Sequence, residues 1–155
     1  MRRSCEIVDE IDIFSARRAA RELAEELGFD KIEREEMAIV ASELASNIVK
    51  YGIRGRIEMD EVRDRVLGRG MVLRAKDSGP PFYDVAMAIQ DGHDDRGPLD
   101  PATLFKRRGI GGGLGAVIRF TDSFGCETAE DGSGKTVTVI RYRKRPKRRS
   151  PGVGA

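Results

Sequence analysis

The chain predicts a two-layer α/β sandwich, with helices packed on one face of a mixed, mainly antiparallel sheet. Three observations carry this. Two stretches near the start have apolar residues at helical spacing, and hairpin-like segments follow them. The element order, βααββ, a long loop, then αββ, does not alternate strand and helix as a doubly wound parallel sheet would. At 155 residues with 39% hydrophobic content, the chain fits one domain with a sizeable core.

Residues 4–9 (SCEIVD) predict a short strand. Residues 13–27 predict an amphipathic helix, with Ala16, Ala20, Leu23 and Leu27 on one side and Gly28 as its stop. Residues 31–51 predict a longer helix whose stripe is Ile32, Met37, Val40, Ala41, Leu44 and Ile48, ended by Gly52. Residues 56–62 and 66–76 predict a hairpin, and residues 77–81 a tight turn. Residues 82–108 have little periodicity, and a loop this long in a compact domain is usually functional or mobile. A third helix is expected over 114–123, with Leu114, Val117 and Ile118 inward, then strands over 124–129 and 135–143.

Charged residues make up 35% of the chain, and no apolar run approaches the roughly 18 residues of a membrane-spanning helix. The opening residues MRRSCEIVDEID hold no apolar core of signal-peptide length, so a cytoplasmic protein is expected. Cys5 and Cys126 lack metal-ligand spacing and read as reduced, buried thiols. The net charge of +2 is unevenly spread. Residues 141–149 (RYRKRPKRR) hold seven basic residues; without them 21 basic face 26 acidic residues, about −5. The expected division is a domain over 1–143 and a basic, disordered tail over 144–155. Such a tail suits solvent or an acidic surface; nucleic acid is not expected, because only Tyr142 is there to stack on bases.

Three segments carry chemistry. Glu43 and Asn47 lie four apart on the second helix and project from one face. An amide oxygen suits a magnesium ion that also bridges phosphates, and a carboxylate one turn away can accept a proton. Alone, such a pair also fits a solvated helix surface. Asp77 heads the turn DSGPPF at a strand end. There a carboxylate either bonds its own backbone or accepts a base's exocyclic amine, and Gly79 would let that base approach closely. The run GIGGGLG over 109–115 offers backbone N–H groups to phosphates, with a helix behind it. It is no Walker-type loop, and a loose dinucleotide fingerprint fails because PATLFKRR is a poor strand.

The order of these segments, E-x-x-x-N, D-x-G-P, a long loop and G-x-G-x-G-L, resembles the GHKL (Bergerat-fold) ATPases over about residues 4–143. The resemblance implies that Asn47 ligates Mg²⁺ and Glu43 is the catalytic base. Asp77 would bind the adenine amine and Gly79 line the base. Gly109, Gly111, Gly113 and Leu114 would bind the phosphates of ATP, with residues of about 82–112 as the ATP lid. Thr136 looks like the family's threonine beside the adenine. Pro81 stands where the family usually has a second glycine. Size excludes the larger members, and His93, between Gly92 and Asp94, reads as a solvated loop residue and not a phosphoacceptor. VASELASNIVKYG and GIGGGLGAVIRFTDSF look closest to RsbT-like switch kinases of bacterial partner-switching modules, relatives of anti-sigma-factor kinases. That resemblance implies a serine/threonine kinase of a STAS-domain antagonist, which regulates a sigma factor or a PPM-type phosphatase by partner exchange. The alternative is a nucleotide-binding regulatory module with little turnover.

Overall fold

The computed structural model describes residues 2–51, 53–79 and 113–144, with the backbone of residues 93–94 and 97–98. Strand β1 (Arg3–Ile7) leads into helices α1 (Glu10–Glu26) and α2 (Lys31–Tyr51). The hairpin of β2 (Gly55–Asp64) and β3 (Gly68–Asp77) follows. Two short strands, β4 (His93–Asp94) and β5 (Gly97–Pro98), pair with each other. Helix α3 (Leu114–Arg119) precedes β6 (Ser123–Thr128) and β7 (Lys135–Tyr142). The five longer strands form one sheet in the order β1-β2-β3-β7-β6. The sequence predicts a mainly antiparallel sheet, and every pair in this one is antiparallel.

Strand register decides what the helices meet. Cys5, Ile57, Ala75, Val137 and Cys126 stand in one row across the sheet, and Met59, Leu73, Val139 and Phe124 in the next. Side chains alternate along a strand, so both rows face the same way. Onto them pack Ala16, Ala20 and Leu23 of α1, and Met37, Val40, Leu44 and Ile48 of α2. Leu114 and Val117 of α3 complete the cluster. Truncating Leu44, 1% exposed, to alanine would cost about 2–5 kcal/mol, the usual range for a lost core leucine. Among the described residues no helix is long and apolar enough to cross a membrane.

The helix ends depart from the periodicity in ways that local hydrogen bonds explain. Helix α1 begins at Glu10, three residues before the expected start at residue 13. The Asp12 carboxylate accepts the N–H groups of Val8 and Asp9 at 2.9 and 3.0 Å, which turns the chain early. Gly28, at φ 83°, follows α1 as expected. Helix α2 opens on a reciprocal cap. Asp30 accepts the Glu33 N–H at 2.7 Å, and the Glu33 carboxylate accepts the Asp30 N–H at 3.1 Å. Ile32, expected in the stripe of α2, is exposed. Helix α3 ends at Arg119, short of the expected 123. The Asp122 N–H already donates to the Ile140 carbonyl at 2.8 Å, so the chain has joined the sheet.

Candidate active site

Helix α2 is flanked by α1 and α3 and rests on β2 and β3. Four of its polar residues, Glu33, Ser42, Glu43 and Ser46, are therefore buried along with most of its apolar ones. Ser42 is 5% exposed; its hydroxyl accepts from the Arg17 guanidinium at 2.7 Å and donates to the Ala38 carbonyl at 2.9 Å. Glu43 is 3% exposed and Asn47, one turn on, is half-buried. A solvated helix surface does not describe this pair. A carboxylate taken out of water is costly unless hydrogen bonds or charges compensate it, so few carboxylates lie this deep in a helix.

Asp77 is the last residue of β3. It stands in the row Ile7, Gly55, Asp77, Lys135, Thr128, on the side that faces the helices. Gly55 of β2 and Gly134, just before β7, stand beside it for a steric reason. A Cβ on Gly55 would sit 2.2 Å from the Lys76 carbonyl oxygen, and one on Gly134 would sit 2.4 Å from that of Asp77. The Asp77 carboxylate accepts the Gly79 N–H at 2.8 Å and the Lys135 ammonium at 3.0 Å. The Asp77 and Lys135 side chains are only 5% and 3% exposed.

Gly113, the buried N-cap of α3, has φ 69°, a conformation that favours glycine. Leu114 behind it is a core residue. Helix α3 packs on α2, and α2 on β3, so α2, with Glu43 and Asn47, adjoins both the strand that ends in Asp77 and the helix that begins after Gly113. Pro81, Gly109, Gly111, the expected lid of about 82–112 and the tail beyond Lys144 lie outside the described residues.

Thr136 does not share Asp77's face of the sheet. It pairs with Lys76, and the alternation that turns Val137 and Val139 toward the helices turns Thr136 to the open face of the sheet. The residue facing Asp77 is Lys135, which the motif reading passed over. Counting back in twos from Val139 and Val137 would have found it.

A cavity of about 560 Å³ opens at this end of the sheet. Arg54, Arg56, Lys76, Asp77, Lys135 and Thr136 border it, and no residue of α2 does. Burial raises the Cys5 and Cys126 thiols above their ordinary range, so neither is poised as a nucleophile. Among the described residues no three His, Cys, Asp or Glu side chains converge as metal ligands. The donor set nonetheless suits Mg²⁺, which takes one or two protein oxygens and completes its shell with phosphates and water. The Asn47 amide oxygen, one turn from Glu43, is such a donor.

Residues 9–141 match the family model described as the histidine kinase-like ATPase domain. The chain is 33% identical over 136 residues to the serine/threonine-protein kinase RsbT of Bacillus subtilis (strain 168). That match covers 88% of this chain and 92% of RsbT. Among solved structures, the SiaB–SiaC complex of Pseudomonas aeruginosa holds a similar fold. Its TM-score is 0.52 at 16% identity, over 91% of this chain and 88% of that one. The chain belongs to the histidine kinase-like ATPase domain family and, within it, to the serine/threonine protein kinases of the RsbT type.

Proposed function

We propose that the protein transfers the γ-phosphate of ATP to a serine or threonine of a STAS-domain antagonist in a bacterial partner-switching module. Phosphorylation of the antagonist then regulates a sigma factor or a PPM-type phosphatase by partner exchange. The observation that carries this is the burial of Glu43, one turn from Asn47, on the helix that packs against both β3 and α3. Asn47 would hold Mg²⁺, which when bound neutralises charge on the phosphates. Asp77 and Gly79 receive the base, and Gly109, Gly111, Gly113 and Leu114 the phosphates. The partner's hydroxyl oxygen bonds to the γ-phosphorus while the bond from that phosphorus to ADP breaks. Glu43 takes the hydroxyl proton. Little covalent chemistry falls to the protein, so most of the rate comes from positioning and electrostatics.

A second reading, a nucleotide-binding regulator with little turnover, is favoured by one observation. Asp77 is already paired with Lys135, so a base must share that carboxylate. Labelled ATP, Mg²⁺ and candidate STAS proteins from the same genome separate the two. Transfer to the partner is expected, with a loss of about 100-fold or more in Glu43→Gln, the scale of a removed general base. ATP binding without transfer to any partner would leave the second reading standing.

A further inference from the structure

We propose that Lys135 is a specificity-determining residue, and that with Asp77 it opens the nucleotide site to guanine as well as adenine. The inference rests on the proposed placement of the base at Asp77. Lys135 and Asp77 are directly opposed on antiparallel strands, and both side chains are more than nine-tenths buried. For stability alone, a buried ion pair gains little over an apolar pair of similar volume. The hydrogen bonds at Asp77 are also lopsided. Gly79 and Lys135 both donate to Oδ1, and among the described residues Oδ2 accepts none. The dyad thus sets a carboxylate acceptor beside an ammonium donor.

Purines differ along the edge that meets such a dyad. Adenine offers an amino donor at N6 next to an acceptor at N1. Guanine offers a donor at N1 next to a carbonyl acceptor at O6. A lone carboxylate welcomes the amino group of adenine and repels the O6 carbonyl of guanine, because two acceptors then face each other unpaired. An ammonium beside the carboxylate removes that repulsion, since it donates to N1 of one base or O6 of the other. A threonine at this position would supply one neutral hydroxyl and no charge. Lys135 changes the edge that the base meets.

The test is competition for the full chain with Mg²⁺ present. A fluorescent ADP analogue is the probe, displaced by ADP or by GDP. In the unaltered protein GDP is expected to bind within about ten-fold of ADP, and Lys135→Thr to widen the preference for ADP by about ten-fold or more. Lys135→Met, which keeps the length and removes the donor, should widen it likewise; circular dichroism checks that both variants fold. GDP weaker than ADP by more than ten-fold in the unaltered protein overturns the inference and leaves the nucleotide site standing. An unchanged ratio in folded Lys135 variants also overturns it. If neither nucleotide displaces the analogue, or the analogue itself does not bind, the proposed nucleotide site fails and the inference with it. The ratio in the unaltered protein decides the matter even if no variant folds.

Discussion

Strand β7 carries a buried acid–base pair toward each end of its inward face, and the two are built differently. At one end Arg141 lies 3.7 Å from Glu33, with side chains 6% and 2% exposed. Arg141 also donates to Glu36 at 3.3 Å and to the Phe120 carbonyl at 3.0 Å. Glu33 accepts N–H groups of Asp30 and Lys144 on its two oxygens. Both carboxylate oxygens are thus used, and the pair ties the start of α2 to the end of β7. At the other end Lys135 meets Asp77 at 3.0 Å, equally buried, yet one carboxylate oxygen accepts nothing among the described residues. That pair borders a cavity. Burial of charge alone does not tell a structural clamp from a binding group.

The comparison breaks first at the clamp. Arg141→Met should cost about 3–5 kcal/mol in urea unfolding, because it leaves the Glu33 charge buried without its partner. A cost below about 1 kcal/mol would mean that the clamp is not structural. Lys135→Met should cost less, about 1–3 kcal/mol, because water in the bordering cavity can solvate Asp77. Equal costs at the two ends would erase the distinction. Gly134→Ala sharpens the same end. Its Cβ would sit 2.4 Å from the Asp77 carbonyl oxygen, so the strands must part. About 1–3 kcal/mol of stability should be lost, and nucleotide affinity should fall with it in titrations.

The smallest effect is at Asp12, a carboxylate that belongs to neither pair. The Val8 and Asp9 N–H groups hold Asp12 below the ordinary carboxylate range. A depressed pKa adds stability that is complete above that range and lost as pH falls through the folded value. Asp12→Asn should therefore lower the urea midpoint slightly at neutral pH. The gap between the two proteins should close in acid. A gap independent of pH would assign the effect to helix capping geometry and not to charge.

Much of this was legible in the residues. The stripe Ala16, Ala20, Leu23 placed α1, and the order of Glu43, Asn47, Asp77 and the glycine run carried the resemblance to the family that residues 9–141 match. Three features were not legible for physical reasons. Helix α1 starts early because of a side-chain cap at Asp12, while Ile11 and Phe14 stay exposed and break the apolar pattern. Glu43 is buried because α1 and α3 flank α2, which is a matter of tertiary packing that no local pattern reports. Lys135 was hidden by the motif itself. A threonine one residue later drew the reading, although strand alternation puts that threonine on the other face.

The most direct test of the central claim is phosphate transfer from labelled ATP, with Mg²⁺, to a STAS-domain protein from the same genome. The expected result is label on a serine or threonine of that partner, reduced about 100-fold or more in Glu43→Gln while the fold and nucleotide binding persist. Tight ATP binding with no label on any such partner, or full transfer by Glu43→Gln, would contradict it.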